Sequence, residues 1–359
     1  MTAQVATASL YAFLYACFAA SHSSAFSTTR APVAAAPAGH RHVWKPGVEI
    51  ELPDFDTLFD RIQMASPLAK LVMEGNSLDK EGGFESIDDS RHHPELKWKK
   101  MESNSKKTVH RIDKLDGFQN VKTPLLRFRS TIKGPCLGER FSNFIMNLEE
   151  RKKWDDQVAH VEEIYPIEDL EVVNNLLDDE KFGICTRIGV GYTQTKQGII
   201  SPREQLIMGG MQEYANGATI LWGTEMEEYH NHLLPAGQRH TRAKSHLFAA
   251  TLAPTGEDSF DVEYLLQMDV GGGLPNFMTT PALSDAVKKL FEHAKGYFEG
   301  GEGSEVDLFL KSKEQDDFAE IQLLDAQIDH LVDVNEDLSY AHHHDHHAMK
   351  DNESILFTP

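Results

Sequence analysis

Between about residues 95 and 300 the chain alternates short strand-like runs with only two amphipathic helical stripes, and the second stripe comes last. Pro281 to Phe298 sets Leu283, Val287, Leu290, Phe291, Ala294 and Phe298 on one side of a helix. Such a stripe has to be buried, and the surface on offer before it is a series of strands. Leu125 to Ile132 (LLRFRSTI) alternates as a half-buried strand does. Val158–Tyr165, Gln205–Met211, Ala218–Glu225, Arg242–Thr251 and Asp261–Asp269 read the same way. The first helical stripe, Leu137 to Glu150, aligns Leu137, Phe141, Phe144, Ile145 and Leu148. Strands, one internal helix, antiparallel strands and a closing helix predict an α+β fold with the last helix across a curved antiparallel sheet. A strongly curved sheet cannot meet a straight helix everywhere, so the plan leaves room for a hydrophobic cavity.

Four short motifs fall in this region in a fixed order. They are Arg151-Lys152-Lys153-Trp154-Asp155 after the internal helix, Ser201-Pro202-Arg203-Glu204, Arg242-Ala243, and Gln267-Met268-Asp269-Val270-Gly271-Gly272-Gly273-Leu274-Pro275 before the last helix. Together they resemble the R-x-x-W-D, S-P-R-D, R-A and Q-x-D-x-x-G-x-L-P elements of START (steroidogenic acute regulatory-related lipid transfer) domains. The resemblance spans about residues 95–300 and leaves out both ends. It implies a helix-grip fold: an incomplete antiparallel barrel around a long C-terminal helix, holding one lipid, sterol or pigment-like molecule. It further implies a carrier or lipid sensor without covalent chemistry, with the last helix and the Pro235–His240 loop as the gate. The residues it marks as lipid-binding are Arg151, Trp154, Asp155, Arg203, Gln205, Arg242, His246, Gln267, Leu274, Phe277 and Leu290. No cofactor is implied.

Some of these positions have a structural reading as well. Arg151 and Asp155 stand four apart at a helix end, where they can pair with each other or offer a cation to a phosphate. Many START domains carry an aromatic residue two after the Arg of S-P-R-D and a basic one six after it; here those positions are Gln205 and Gly209. A strand aromatic four beyond the R-A arginine is replaced by His246. Boxing a quaternary ammonium needs aromatic faces, so a choline lipid fits this lining poorly. An enzyme is the rival class, with His246 as acid or base beside Glu263 or Asp261. No nucleophile elbow, phosphate-binding glycine loop or zinc-hydrolase motif accompanies it.

The ends of the chain have other compositions. Residues 1–43 contain no Asp or Glu. Ala8 to Ala20 is an apolar run of signal-peptide length, too short to span a bilayer. Phe26 to Val43 is rich in Ala, Ser and Thr, with Arg30 and Arg41. A signal peptide at 1–25 followed by a transit peptide at 26–43, joined through Ser24-Ala25-Phe26, resembles the bipartite plastid presequence of diatom-like algae. Plastid delivery is therefore expected, with a secreted or endomembrane protein as the alternative.

Residues 44–94 predict a helical extension and linker, with Phe55, Leu58, Phe59 and Ile62 at helical spacing and a polar stretch from Glu81 to Pro94. Residues 301–359 form an acidic, His-rich tail, with 15 Asp and Glu against 3 Lys and Arg. With a net charge of −21 for the whole chain, nucleic acid is not an expected partner, because phosphate binding needs a basic face. A transient membrane contact is expected of a lipid carrier. Ile321, Leu324, Ile328, Leu331 and Leu338 keep heptad spacing around Asn335, so residues 312–340 offer a helical protein partner or a helix folded back on the domain. His342, His343, His344, His346 and His347 crowd the tail, but no Cys or carboxylate spacing fixes a closed metal site. His230, His232 and His240 flank the gate loop and read as surface residues. Cys136 and Cys185 read as small buried apolar residues rather than reactive thiols.

Overall fold

The computed structural model describes residues 41–299, apart from 46–47, 77–86, 88–91, 104–107, 167–169, 178, 197–200, 227, 235–239 and 257. The signal peptide, nearly all of the transit peptide, most of the Glu81–Pro94 linker, most of the Pro235–His240 loop and the whole tail lie outside the described residues. Among the described residues, no helix is long and apolar enough to cross a membrane.

The chain opens with a hairpin, β1 (Arg41–Lys45) and β2 (Val48–Glu51). Two helices follow, α1 (Phe55–Ala65) and α2 (Pro67–Met73). Asp54 caps α1 by accepting from the Thr57 N–H. Ser66 ends α1 and caps α2, accepting from the Ala69 N–H, with Pro67 at the first helical position where its missing N–H is no loss.

The sheet then runs through β3 (Lys99–Ser103), β4 (Arg111–Leu115) and β5 (Leu125–Lys133). Helices α3 (Gly138–Met146) and α4 (Leu148–Trp154) precede β6 (Val158–Pro166). Two short helices, α5 (Leu170–Asn174) and α6 (Asp179–Phe182), lead into β7 (Ile184–Thr195). The remaining strands are β8 (Arg203–Glu213), β9 (Thr219–Glu225), β10 (Thr241–Arg242), β11 (Lys244–Pro254) and β12 (Ser259–Asp269). The helix α7 (Asn276–Phe298) closes the domain. The ten strands β3 to β12 form one curved sheet in the order β3-β4-β5-β12-β11-β9-β8-β7-β6, all antiparallel except β10, which pairs in parallel with β8.

The α+β plan read from the sequence is the plan observed, with one helix divided. The single stripe of Leu137–Glu150 is two helices, because Asn147 is extended (φ −81°, ψ 126°) and turns its side chain to cap α4. Its carbonyl oxygen accepts from the Glu149 and Glu150 N–H groups, a local bond that competes with helix continuation. Helix α7 starts five residues before Pro281, which lies inside it.

Side chains alternate across the sheet, and both faces are buried. On the concave face Phe128, Leu252, Val262, Tyr264 and Met211 meet Phe141 and Phe144 of α3, Trp154 of α4, and Val287, Leu290, Phe291, Ala294 and Phe298 of α7. On the convex face Val190, Leu206, Met208, Trp222, Leu247 and Leu265 meet Phe55, Leu58, Phe59, Ile62 and Leu68 of the extension. The N-terminal extension thus shares a core with the sheet.

Charge is buried on the convex face too. Glu263, Arg127 and Asp113 are fully buried and Arg129 nearly so. Arg129 Nε donates to Glu263 Oε2 at 2.6 Å, and Arg127 Nη2 donates to Asp113 Oδ2 at 3.1 Å. The extension completes the set: Ser66 Oγ and the Leu68 N–H donate to Glu263 Oε1, and the Ala65 carbonyl accepts from Arg127 Nη1. Trp98 stacks on the Arg127 guanidinium at 4.1 Å. Burial pushes the Glu263 carboxyl up, but Arg129, Arg127 and the Ser66 hydroxyl outweigh it and hold it below the ordinary 4.5.

Removing one member of a buried ion cluster leaves its partners charged and unpaired. Glu263→Gln is expected to cost about 3–5 kcal/mol in chemical denaturation; an unchanged midpoint would contradict this account. Because the folded carboxyl holds its proton less tightly than the unfolded one, its contribution is complete above pH 4.5 and fades as the pH falls below it. Wild-type stability should therefore decline on acidification more steeply than that of the variant.

Candidate functional site

Helix α3 lies over β6, β8 and β9 on the concave face. Beneath it Gly189, Gly209 and Gly223 stand directly opposite one another on β7, β8 and β9, and Phe248 of β11 opposes Gly223. Directly opposed residues share a face, so three adjacent strands present no side chain along one row. A Cβ on Gly223 would stand 3.1 Å from the Phe248 ring, which bounds the trough on that side. A cavity of about 60 Å³ lies here, with Ile145, Met146, Ile207, Leu221 and Phe248 among its apolar walls.

One wall is polar. Arg187 Nη2 donates to Glu163 Oε2 at 2.6 Å, and its Nη1 lies 3.4 Å from Ser142 Oγ and from Asn143 Oδ1. Arg187, Glu163 and Ser142 line the cavity. Both charged side chains keep some exposure, 33% and 25%. The pair offers a donor and an acceptor side by side with no net charge, at the end of an apolar trough.

At 60 Å³ the cavity admits a few water-sized groups, whereas small-molecule pockets measure roughly 300–1,000 Å³. Aromatic rings fill the remaining space between sheet and helices. Phe144 lies 4.8 Å from Tyr297, Phe248 5.2 Å from Tyr264, and Phe141 5.9 Å from Phe298, centroid to centroid. Burial pushes the Tyr264 phenol up to about 12.

The residues marked by the sequence motifs divide between several places. Arg151 Nε donates to Asp155 Oδ2 at 3.1 Å, its guanidinium lies 5.0 Å over the Trp154 ring, and Trp154 Nε1 donates to the Phe144 carbonyl. This motif pins α4 to α3, and its arginine is already engaged. Leu290 is a core residue of α7. Gln205 is half-buried and alternates with Ile207 along β8, toward the cavity side.

Others lie away from the cavity. Arg203 donates to the Val270 carbonyl and to Ser201, and a Cβ on Gly272 would stand 2.9 Å from its Nη2. It fixes the turn that launches α7 and does not line the cavity. Gln267 is fully buried, in register with Leu247 of the convex core, and donates to the carbonyls of Phe118 and Thr123. Arg242 donates to Asn231 Oδ1 at 2.6 Å in a separate polar group. Leu274 is half-buried in the turn before α7, and Phe277 is 68% exposed at its start.

His246 is not brought to Glu263 or Asp261. Its Nδ1 meets Glu225 Oε1 at 2.9 Å, and its carbonyl accepts from Arg61 of α1. Glu263 pairs with Thr251, five residues along β11 from His246, roughly 16 Å at the rise of a strand. Burial raises the Glu225 carboxyl, and the hydrogen bond and charge of His246, with Lys244 and Arg61, bring it below its ordinary value.

His230 departs from the surface reading: it is buried, and its Nε2 accepts from the Glu51 N–H at 3.2 Å. Cys185 is buried with its thiol raised to about 11, and burial lifts Cys136 to about 12. Among the described residues, no group of three His, Cys, Asp or Glu side chains is placed to hold a metal. Sequence reasoning missed β7, and with it Arg187 and Gly189. The available signal was the glycines at 189 and 191 and at 209 and 210 inside strand-like runs, since glycine inside a strand marks close approach of another element.

The Arg203 clamp gives a direct test of the turn. Gly272 has φ +73°, where any side chain is strained, and its Cβ would meet a guanidinium. Gly272→Ala is expected to lower stability by about 1–3 kcal/mol in a denaturation titration. Gly273 has a similar φ with open space around it, so Gly273→Ala should cost less; equal losses would show that the clamp contributes nothing.

No protein-family model matches the chain, and no curated protein matches it in sequence. Among solved structures the chain is similar to human StAR-related lipid transfer protein 5, at 16% identity and a TM-score of 0.45 over 66% of this chain and 95% of that one. It is similar to human STARD10 at 18% identity and a TM-score of 0.42, over 56% and 74%. A STAR-related lipid transfer protein from Xanthomonas axonopodis is similar at 15% identity and a TM-score of 0.39, over 55% and 97%.

Proposed function

We propose that this chain binds one hydrophobic molecule on the concave face and serves as a lipid carrier or lipid sensor. The observation that carries the reading is the in-register row Gly189–Gly209–Gly223. Three strands give up their side chains under α3, and the trough ends at the Arg187–Glu163 pair. A buried sheet face fills such a row unless something else is to lie there. The four ordered motifs of the sequence support the same reading.

The polar end favours a small head that both gives and takes a hydrogen bond, such as a hydroxyl. A quaternary ammonium would want a cage of aromatic faces. Among the described lining residues the aromatic ones are Phe248 and Trp222, and Trp222 belongs to the convex core. The apolar body then runs against Ile145, Ile207 and Leu221. Because the cavity measures about 60 Å³, uptake needs α3 to lift from the sheet or α7 to swing on its glycine turn. Phe277, exposed at the start of α7, would meet the donor membrane. Residues 1–43 would deliver the protein to a plastid, and a fluorescent fusion of that segment tests the address.

The full chain incubated with mixed lipid vesicles and recovered should carry one lipid per protein by native mass spectrometry. Gly209→Ile, which fills the trough, should reduce uptake at least tenfold while the far-ultraviolet spectrum stays unchanged. His246→Ala should leave uptake intact. A protein that emerges empty and moves no lipid between vesicles would overturn the proposal.

A further inference from the structure

A second set of polar side chains stands on the opposite face of the sheet. His160 of β6, Gln194 of β7, Glu204 of β8 and Arg242 of β10 occupy one register row across four strands. Gln194 alternates with Tyr192 and Val190, and Glu204 with Leu206 and Met208, all members of the convex core. The row therefore lies on the convex face, away from the glycine trough.

Three buried atoms here lack a hydrogen-bond partner: the Tyr192 hydroxyl, Glu204 Oε2 and Arg242 Nη1. Tyr192 is 1% exposed and Glu204 5%. The phenol and the carboxylate face each other without closing a bond of good geometry, and Arg242 is close enough to both to interact electrostatically. The surroundings are held in place. Gln194 Nε2 meets His240 Nε2 at 2.9 Å, and the other terminal nitrogen of Arg242 is tied to Asn231 Oδ1.

The chemistry of the three atoms is complementary. An ionised carboxylate only accepts, a guanidinium only donates, and a phenol does both. A single hydroxyl group can donate to Glu204 Oε2 while it accepts from Arg242 or Tyr192. The two charges cancel, so an anion would face Glu204 and a cation would face Arg242, each at a loss. Half-buried Gln194, His240 and Arg242 lie between the three buried atoms and solvent, so a ligand enters by displacing these side chains.

We propose that this row is a second binding site, separate from the lipid cavity, for a neutral molecule with neighbouring hydroxyl groups, of the polyol or sugar class. Calorimetric titration of the full chain with glycerol, myo-inositol and galactose tests it, with inorganic phosphate and choline as charged probes. At least one polyol should bind saturably, and neither charged probe should. Tyr192→Phe and Glu204→Gln should each weaken that binding about tenfold, the loss of a hydrogen bond to or within a charged set, while vesicle lipid uptake is unchanged. Tyr192→Phe should melt at or above the wild-type temperature, because it removes a buried hydroxyl whose contact with Glu204 falls short of a well-formed hydrogen bond. Absence of saturable binding by every polyol would overturn the proposal, as would binding that survives both changes, preference for phosphate or choline, or a destabilised Tyr192→Phe.

Discussion

Glu263 is wholly enclosed, and everything that makes its charge tolerable comes from two directions at once. Arg127 and Arg129 reach it from the neighbouring strand, and Ser66 and Leu68 reach it from the N-terminal extension. A carboxylate in that position without those donors would carry a large desolvation cost. The convex face of the sheet can therefore exist in its present form only with α1 and α2 docked on it. That requirement assigns the two faces different work. One is closed by charge pairing and a keyed helix junction, and the other mainly by apolar packing.

On the concave face the contacts with α3 and α7 are mainly aromatic and aliphatic, with Arg140 donating to the Tyr297 carbonyl between the two helices and Arg187 lying 3.4 Å from Ser142 and Asn143. Beneath α3 the glycine row leaves the sheet bare, and the Arg187–Glu163 pair marks one end. Lifting α3 from such a surface exposes apolar area, which a hydrophobic ligand of similar area can cover, and it breaks the contacts of Arg187 with Ser142 and Asn143. On the convex face the same motion would strand a charge. The proposed carrier role would use one face of each kind: a fixed frame and a yielding cover.

Much of the frame was legible in the sequence. The stripe Val287–Leu290–Phe291–Ala294–Phe298 could only be a core helix, and the alternation in 125–132, 205–211 and 261–269 placed strands within a residue or two of their bounds. Asn147 was harder to read, because its capping geometry competes locally with an otherwise continuous stripe. β7 was missed because glycine and arginine interrupt its apolar pattern, and those interruptions are the trough itself. The motif residues were legible as a set but not in their roles. Arg203 and Gln267 are spent on a turn and a strand connection, and only the three-dimensional register shows which glycines meet. The buried pairing of Glu263 was equally invisible, since a lone Glu in a strand looks the same whether it faces water or two arginines.

Under the proposed function, ligand enters between α3 and the glycine row on the concave face. Photo-crosslinking tests it most directly: the full chain is loaded with a lipid analogue carrying a photoreactive group on its chain, irradiated, and digested for adduct mapping. Adducts confined to peptides spanning 138–146, 205–211 and 219–225 are expected. Adducts on α1, α2 or the convex strand residues, with those three segments unlabelled, would contradict the account.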